Sequence, residues 1–265
     1  MKVTSEQLQT LCDIAEAAGR EIMAVYGSDF TSWNKDDQSP VTEADLRADA
    51  VIRERLTEAF PGVFILSEES VSGAIAASET FFLVDPLDGT KEFLKRNGEF
   101  TVNIALVHRG DPVAGVVLAP DLGELFYAAT GLGAWKRTSA GSASLRVAKL
   151  TTGVTLRVIG SRSHAGEAFT AWLGKLPTKH SFVAAGSSLK FCRIAEGAAD
   201  IYPRFGPTSQ WDTAAAQCIL QTAGGAVTDL DYVPLGYGLE RPILNPEFVA
   251  VGDSQLQKLV SASDP

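Results

Sequence analysis

Residues that form cross-links or bind soft metals are scarce in this sequence. Three cysteines (Cys12, Cys192 and Cys218) and three histidines occur among 265 residues. The cysteines are odd in number and widely spaced, which argues against a disulfide framework and against a cysteine-ligated zinc site. This pattern is typical of reduced thiols in a protein core.

Long apolar runs are also missing. No stretch of 18 apolar residues occurs, and no basic segment followed by an apolar one stands at the start of the chain. The sequence therefore predicts neither a membrane-spanning helix nor a secretion signal. We expect a cytoplasmic protein, with peripheral association on the cytoplasmic face of the inner membrane left open. No obligate protein partner is evident.

Basic charge is in deficit. The chain has 23 Lys and Arg against 32 Asp and Glu, a net charge of −9. Such a chain lacks the basic face that binds nucleic acid, so no nucleic-acid partner is expected. A small anionic substrate remains compatible with this charge, because bound cations and a few Lys or Arg can reverse the local field.

The most informative segment is residues 85–90, Asp-Pro-Leu-Asp-Gly-Thr, which follows the apolar residues 81–84. The apolar run predicts a buried strand that ends at the Asp-Pro turn signal. Two carboxylates so close together repel each other unless they are paired, protonated or bound to a cation. Hard oxygen ligands on a tight loop suit Mg²⁺ or Mn²⁺ better than zinc. The alternative is a solvated turn with two ordinary aspartates.

The same segment excludes a covalent aspartyl-phosphate mechanism. Haloacid-dehalogenase-type phosphatases carry a nucleophilic Asp two residues before the second Asp of their Asp-x-Asp-Gly-Thr motif. In this chain Pro86 stands two residues before Asp88. The spacing therefore favours metal ligation over nucleophilic catalysis.

Further carboxylates stand where predicted strands end or predicted helices begin. With the two aspartates above, the set is Asp45, Glu68, Asp85, Asp88 and Asp212. Strand ends on one edge of a sheet converge on a shared crevice, where ligand sites of α/β proteins usually lie. Any one of these residues alone is more typical of a surface or capping position. Together they predict a multi-metal phosphatase site, because convergent carboxylates need cations.

The predicted elements describe a mixed α+β and α/β chain that divides near residue 140. Residues 1–140 predict an N-terminal α+β lobe that carries the metal-binding loop, and residues 141–265 predict a C-terminal α/β lobe. Predicted helices cover residues 8–25, 42–60, 165–173, 190–196 and 213–222. Predicted strands cover residues 63–66, 81–84, 101–108, 112–118, 124–129, 156–160, 181–183 and 199–202.

Three segments resemble the signatures of the inositol monophosphatase superfamily of lithium-sensitive, Mg²⁺-dependent phosphatases. They are Ser-Glu-Glu-Ser at 67–70, Asp-Pro-Leu-Asp-Gly-Thr at 85–90 and Trp-Asp-Thr-Ala-Ala at 211–215, and their order and spacing match across nearly the whole chain. Residues 91–105, 186–192 and 202–206 are most similar to the bisphosphate nucleotidase branch. Inositol-preferring members typically have Thr-Asn-Phe where this chain has Lys-Glu-Phe at 91–93. The resemblance implies a layered α-β-α-β-α sugar-phosphatase fold.

The resemblance also implies a metal site and a catalytic pair. Two or three Mg²⁺ ions, for which Mn²⁺ can substitute, would be held by Glu68, Asp85, the carbonyl of Leu87, Asp88 and Asp212. Glu69 is the less favoured of its pair. Asp45 and Thr90 would position and deprotonate the attacking water, with Glu68 as a further catalytic residue. The N–H groups of Gly89 and Thr90 would cradle the scissile phosphate.

Other residues are implied to bind the substrate. Lys190 and Arg204 would bind a second phosphate, helped by Ser187, Ser188 and His164. The substrate would also touch the metal site through Glu68, Leu87, Asp88, Gly89, Thr90 and Asp212. Trp33 and Lys35 would cover the site from a loop.

The implied activity is a bisphosphate nucleotidase that converts adenosine 3′,5′-bisphosphate (PAP) to AMP and phosphate in sulfate assimilation. Activity on 3′-phosphoadenylyl sulfate (PAPS) is left open. The same-class alternative is an inositol monophosphatase or a broad sugar-phosphate phosphatase. A metal- or nucleotide-sensing protein without activity is a further alternative, against which the intact Asp45 and Thr90 argue.

Overall fold

The computed structural model describes residues 1–28, 32–34, 40–70, 78–151, 153, 155–161, 166–176 and 178–257. Two large β-sheets and three layers of helices make up the fold. The helices are α1 (Ser5–Tyr26), α2 (Glu43–Ala59), α3 (Thr90–Leu94), α4 (Glu167–Lys175), α5 (Leu189–Ala195) and α6 (Gln210–Thr222). The strands are β1 (Ser32–Asn34), β2 (Pro40–Thr42), β3 (Phe64–Ser67), β4 (Thr80–Asp88), β5 (Thr101–His108), β6 (Asp111–Ala119), β7 (Glu124–Ala129), β8 (Gly133–Thr138), β9 (Gly141–Ser144), β10 (Leu156–Ser161), β11 (His180–Ala185), β12 (Ile201–Arg204), β13 (Ala226–Asp229) and β14 (Phe248–Val251). Strands β1 and β2 form a separate antiparallel pair. Short 3₁₀ turns cover Glu68–Ser70 and Ser254–Leu256.

The amphipathic helices α1 and α2 form the first layer. Each begins with a capping box, which joins Thr4 to Gln7 in α1 and Thr42 to Asp45 in α2. Both helices bury an apolar face against the first sheet, with a core that includes Leu11, Ile22, Ile52, Leu56, Phe82, Phe100 and Ile104. The capping box of α2 has a second consequence, because it buries Asp45 with a fixed side-chain orientation.

The first sheet has seven strands in the order β3-β4-β5-β6-β7-β8-β9. Strand β3 runs parallel to β4, and each of the other neighbouring pairs is antiparallel. Because β3 and β4 run parallel, their C-terminal ends meet at the same edge of the sheet. Glu68 and Asp85, which stand near those ends, are therefore brought together.

The second sheet has five strands in the order β11-β10-β12-β14-β13. Strand β10 runs parallel to β11 and β12, and β14 runs antiparallel to β12 and β13. Helices α5 and α6 fill the space between the two sheets, and α4 covers the outer face of the second sheet. The layers alternate α-β-α-β-α, which confirms the fold expected from the sequence.

The prediction for the central motif was wrong in one respect. The strand that was expected to end at residue 84 continues to Asp88, since Asp85 pairs with Asn103 and Asp88 pairs with Thr101. The register is irregular between these two pairs. Pro86 explains the irregularity, because it has no N–H group for the ladder.

The expected division near residue 140 stays a prediction. Strand β9, which begins at Gly141, is the last strand of the first sheet. The core between the two sheets also contains residues from both halves, such as Phe126, Phe191 and Ile219.

Among the described helices, none is both long and apolar enough to cross a membrane.

Gly115 allows α6 to pack directly on the first sheet. A Cβ at this position in β6 would lie 2.3 Å from the backbone carbonyl oxygen of Ala215 in α6. A backbone atom can move away only if the whole helix shifts. We therefore expect the Gly115→Ala variant to lose about 1–3 kcal/mol of unfolding free energy, the usual cost of overpacking.

Gly174→Ala is the matched control, because a Cβ there meets no atom within 4 Å. This variant should be neutral or slightly more stable, since alanine favours the helix by about 1 kcal/mol. Urea unfolding of both variants measures the difference. Equal stability of the two variants would show that α6 does not depend on the glycine.

Candidate active site

Three carboxylates from different elements form a compact cluster. Glu68 begins the 3₁₀ turn after β3, Asp85 lies in β4 and Asp212 lies in the first turn of α6. Each offers a carboxylate oxygen, and these three atoms all lie within 4.8 Å of one another. Three hard oxygen donors at this separation fit a divalent cation such as Mg²⁺.

Local hydrogen bonds fix two of these carboxylates. Asp85 accepts a hydrogen bond from the N–H of Leu87 on Oδ1, at 3.1 Å. Asp212 accepts one from the N–H of Ser209 on Oδ2, at 2.8 Å, as part of the capping box of α6. In each case one oxygen is held by the backbone and the other remains for a ligand.

The cluster is electrostatically unfavourable without a cation. Burial raises the pKa of Asp85 well above its usual range, and the nearby Glu68 and Asp88 raise it further. Burial, followed by repulsion from Asp88, raises the pKa of Asp212 to about 8. Both groups thus tend to keep a proton in the folded protein, and a bound divalent cation would relieve the repulsion.

A hydroxyl–carboxylate pair lies beside the cluster. The hydroxyl of Thr90 lies 3.3 Å from Oδ1 of Asp45 and 3.4 Å from the carbonyl oxygen of Leu87, and it donates its one proton to one of them at a time. Oδ2 of Asp45 accepts hydrogen bonds from the N–H and the hydroxyl of Thr42, at 2.8 and 2.7 Å. Burial raises the pKa of Asp45, against the effect of the Thr42 bonds. Asp45 is thus rigidly oriented towards Thr90.

The turn before Thr90 requires glycine. Gly89 has a φ of 92°, and a Cβ there would lie 2.1 Å from Oγ of Ser187. The Ser187 hydroxyl is within 2.8 Å of two backbone carbonyl oxygens, those of Asp88 and Glu99. This contact holds the segment before α5 against the end of β4, so that both border one cavity.

That cavity has a volume of about 440 Å³ and contains acidic and basic groups. The predicted site residues in its lining are Glu68, Asp85, Leu87, Asp88, Gly89, Thr90, Ser187, Lys190, Arg204 and Asp212. Lys190 is 7% exposed, and its ammonium group donates to the carbonyl of Ser187 at 2.6 Å. Burial lowers the pKa of Lys190 to about 8, against the attraction of Asp88.

A second cavity of about 620 Å³ adjoins the first one. The two share Lys91, Ser161, Tyr202, Arg204 and Pro207. The described residues that line the second cavity include no acidic residue, and its walls carry the aromatic rings of Phe169 and Phe205. The negative cluster thus adjoins a pocket that has no acidic residue among its described lining, and the cations Lys91 and Arg204 line both cavities.

Two predicted site residues that the structure describes, Asp45 and Ser188, do not line the first cavity. Asp45 contacts it through Thr90, and Ser188 is buried beneath it. His164 and Lys35 lie outside the described residues. The backbone of Trp33 belongs to β1, which pairs with β2, but its side chain is not described. The individual roles of the site residues stay predictions.

Sequence reasoning missed several residues near the cluster. Asn103 is buried and donates to Asp88, and Lys91 lines both cavities. Asn103 could have been found, because an amide in the otherwise apolar run of residues 102–107 is unusual. Lys91 and Tyr202 carry no such signal, since only the packing of the second sheet brings Tyr202 to the cavity.

Comparison with known proteins agrees with this geometry. A model of the Inositol monophosphatase family matches residues 4–263, and the chain belongs to this family. Enzymes of the family are metal-dependent, which fits the acidic cluster.

Relatives of known activity narrow the class. The chain is 45% identical over 245 residues to the 3′(2′),5′-bisphosphate nucleotidase CysQ of Salmonella typhimurium, covering 91% of this chain and 98% of the relative. It is 44% identical over the same length and coverage to the CysQ protein of Escherichia coli strain K12.

Solved structures give the same result. The crystal structure of CysQ from Bacteroides thetaiotaomicron is 35% identical with a TM-score of 0.83, covering 94% of this chain and 98% of that one. The inositol monophosphatase of Anabaena is 28% identical with a TM-score of 0.75, covering 97% of this chain and 94% of that one.

The raised pKa of Asp212 gives a prediction for the metal-free protein. The unfolded chain loses the Asp212 proton near its ordinary pKa, whereas the folded protein keeps it up to about pH 8. Stability is therefore lost as the pH rises from about 4 to about 8. Asp212→Asn removes this titration and keeps an acceptor for Ser209. In EDTA at pH 8 we expect it to unfold several degrees above the wild type.

Added Mg²⁺ should stabilise the wild type strongly and Asp212→Asn weakly, because the variant lacks one ligand charge. Thermal unfolding at pH 5 and pH 8, with EDTA or with excess MgCl₂, measures both effects. Asp231→Asn, at an exposed position, is the control. An Asp212→Asn variant that Mg²⁺ stabilises as much as the wild type would exclude Asp212 as a ligand.

Proposed function

We propose that this chain is a 3′(2′),5′-bisphosphate nucleotidase that converts PAP to AMP and phosphate, with PAPS as a second substrate. One observation carries the proposal. The carboxylate cluster shares its cavity with three basic residues, Lys91, Lys190 and Arg204, so one small molecule could reach both the cluster and a cation. The similarity to the CysQ nucleotidases supports the same reading.

The cation would be Mg²⁺, with two or three ions and with Mn²⁺ as a substitute. Glu68, Asp85, Asp88, Asp212 and the carbonyl of Leu87 would hold it, since all five residues line the cavity. When bound, such ions lower the pKa of the attacking water and stabilise the leaving oxygen.

Thr90 and Asp45 would position the attacking water and accept its proton. Thr90 donates its own proton towards Oδ1 of Asp45, which leaves the lone pairs of its hydroxyl oxygen to accept from water. The raised pKa of Asp45 makes it a better proton acceptor than an exposed aspartate. The oxygen of water then forms a bond to phosphorus while the bond to the sugar oxygen breaks. The sugar oxygen leaves with a proton from solvent.

The second phosphate would bind at the boundary between the two cavities. Arg204 and Lys91 line both cavities, and Lys190 lines the first one. Nε of Arg204 donates to the carbonyl of Gly206 at 3.2 Å, and Nη2 donates to the carbonyl of Pro207 at 2.9 Å. These bonds fix the direction of the guanidinium. The pocket walled by Phe169 and Phe205 would take the nucleoside.

The alternative activities need fewer of these features. An inositol monophosphatase or broad sugar-phosphate phosphatase would use the carboxylate cluster but would have no need for fixed cations beyond it. A metal- or nucleotide-sensing protein would not need the Thr90–Asp45 hydrogen bond.

A cytoplasmic location, lithium sensitivity and the absence of an obligate protein partner stay predictions.

A phosphate-release assay tests the function directly. With Mg²⁺ present, we expect kcat/KM for PAP to exceed that for inositol 1-phosphate by at least about 100-fold, the scale of two lost charge-assisted bonds at about 1.5–3 kcal/mol each. Fructose 1,6-bisphosphate, which has a second phosphate but no nucleoside, should also be a poorer substrate than PAP. PAPS should be hydrolysed as well. Equal efficiency on PAP and inositol 1-phosphate would favour the broader phosphatase, and no hydrolysis of any substrate would favour the sensor.

Lys190 should strengthen the binding of a substrate with two phosphates more than the binding of a substrate with one. Lys190→Met keeps the apolar stem of the side chain and removes its charge. Its KM for PAP should rise about tenfold or more, because a charge-assisted bond to the second phosphate is lost. Hydrolysis of 3′-AMP, which lacks that phosphate, should change less, because it loses only the effect of Lys190 on the pKa of Asp88.

The exposed Lys179→Met variant is the control and should behave as the wild type on both substrates. Steady-state kinetics on PAP and 3′-AMP give the comparison. Equal losses on the two substrates would place Lys190 in folding or in the metal site.

A further inference from the structure

Two buried polar side chains connect the carboxylates of the first sheet with helix α6. Asn103 lies in β5 and Ser188 at the start of α5, and each is 1% exposed. The amide nitrogen of Asn103 donates to Oγ of Ser188 at 2.9 Å. Both groups also reach Oδ2 of Asp88, the amide at 3.4 Å and the hydroxyl at 3.0 Å. We call these three hydrogen bonds the Asn103–Ser188 bridge.

The bridge extends to the helix that carries Asp212. Oγ of Ser188 lies 2.8 Å from the backbone carbonyl oxygen of Asp212 as well as 3.0 Å from Asp88. A hydroxyl has one proton, so Ser188 donates to one of these oxygens at a time while it accepts from Asn103. The position of Asp88 is therefore coupled to the first turn of α6.

A third donor reaches the same oxygen of Asp88. The hydroxyl of Thr101, which is fully buried in β5, lies 3.5 Å from Oδ2. All three side-chain donors thus converge on Oδ2 of a carboxylate that lines the cavity. Protein donors therefore occupy Oδ2, and Oδ1 is the oxygen of Asp88 that remains available to a cation.

Asn103 occupies its position at a cost. Its amide oxygen is buried and finds no hydrogen-bond partner among the described residues. A buried acceptor without a partner costs about 1–3 kcal/mol, and an apolar residue would avoid that cost. The amide is therefore better explained by what its nitrogen does at Ser188 and Asp88 than by packing.

We propose that the Asn103–Ser188 bridge makes Asp88 a one-oxygen ligand and thereby sets the affinity of the site for Mg²⁺ and its preference over Ca²⁺. The proposal rests on the proposed role of Asp88 as a metal ligand. Mg²⁺ accepts single carboxylate oxygens in a strict octahedron, whereas Ca²⁺ takes more ligands and often both oxygens of a carboxylate. Two-oxygen binding by Asp88 would have to break the bonds to Oδ2. Asn103 and Ser188 are thus positioning residues.

Metal titration separates this role from a purely structural one. The full chain, stripped with EDTA, is titrated with MgCl₂, MnCl₂ and CaCl₂ by isothermal calorimetry. Ser188→Ala should weaken Mg²⁺ and Mn²⁺ binding by about 10–100-fold, the usual effect of losing a partner of a metal ligand. Ca²⁺ binding should weaken less, so the ratio of Ca²⁺ to Mg²⁺ affinity should rise.

Two further variants support the comparison. Thr101→Val removes the longest of the three hydrogen bonds to Oδ2 of Asp88. It should shift the affinities in the same direction by a smaller factor. Ser181→Ala, at an exposed position in β11, should leave them unchanged. Circular dichroism checks that each variant folds. If Ser188→Ala does not fold, Thr101→Val carries the same expectation.

The outcomes are distinct from those of the activity assay. Unchanged affinities in the variants, or an equal loss for all three cations, would overturn the role of the bridge. Wild-type protein that binds Mg²⁺ but does not hydrolyse PAP would overturn the proposed function and leave the bridge in place. Wild-type protein that binds neither Mg²⁺ nor Mn²⁺ would overturn both.

Discussion

Repulsion between buried carboxylates is the constraint on which the rest of this structure depends. Asp85 and Asp212 lie close to Glu68 and keep raised pKa values because burial and mutual repulsion oppose their ionisation. The protein holds them by hydrogen bonds from Leu87 and Ser209, each to a single oxygen. These bonds fix the orientation of the carboxylates and do not neutralise them. A bound cation would offset the repulsion and allow both groups to ionise.

The layered fold explains how these carboxylates meet. Parallel strands β3 and β4 bring Glu68 and Asp85 to one edge of the first sheet. Asp212 comes from α6, which approaches the sheet so closely that Gly115 has no space for a side chain. A small displacement of α6 would move the third carboxylate away from the other two. Packing in the middle layer and electrostatics at the edge are therefore coupled.

The sequence predicted the elements better than the contacts between them. Strands at residues 101–108 and 124–129 were predicted with their observed bounds, because hairpin signals flank them. Strands β8, β9, β13 and β14 were missed, since short or polar strands have little periodicity and depend on their neighbours. Asp85 and Asp212 were recognised by their position at element ends. The role of Asn103 was not, because it depends on Ser188, which is 85 residues away in the chain.

The distribution of charge within the site explains how it could recognise two phosphates of one substrate, one near the carboxylates and one at the basic residues. The carboxylates share the first cavity with Lys91, Lys190 and Arg204, and Lys91 and Arg204 also line the second cavity. Lys190 stays charged at neutral pH because Asp88 offsets part of the effect of burial, which lowers its pKa to about 8. Asp88 thus acts both on the carboxylate cluster and on Lys190. The interaction is mutual, because Lys190 in turn lowers the pKa of Asp88. A substitution at either residue would therefore disturb both the carboxylate cluster and the proposed anion-binding group.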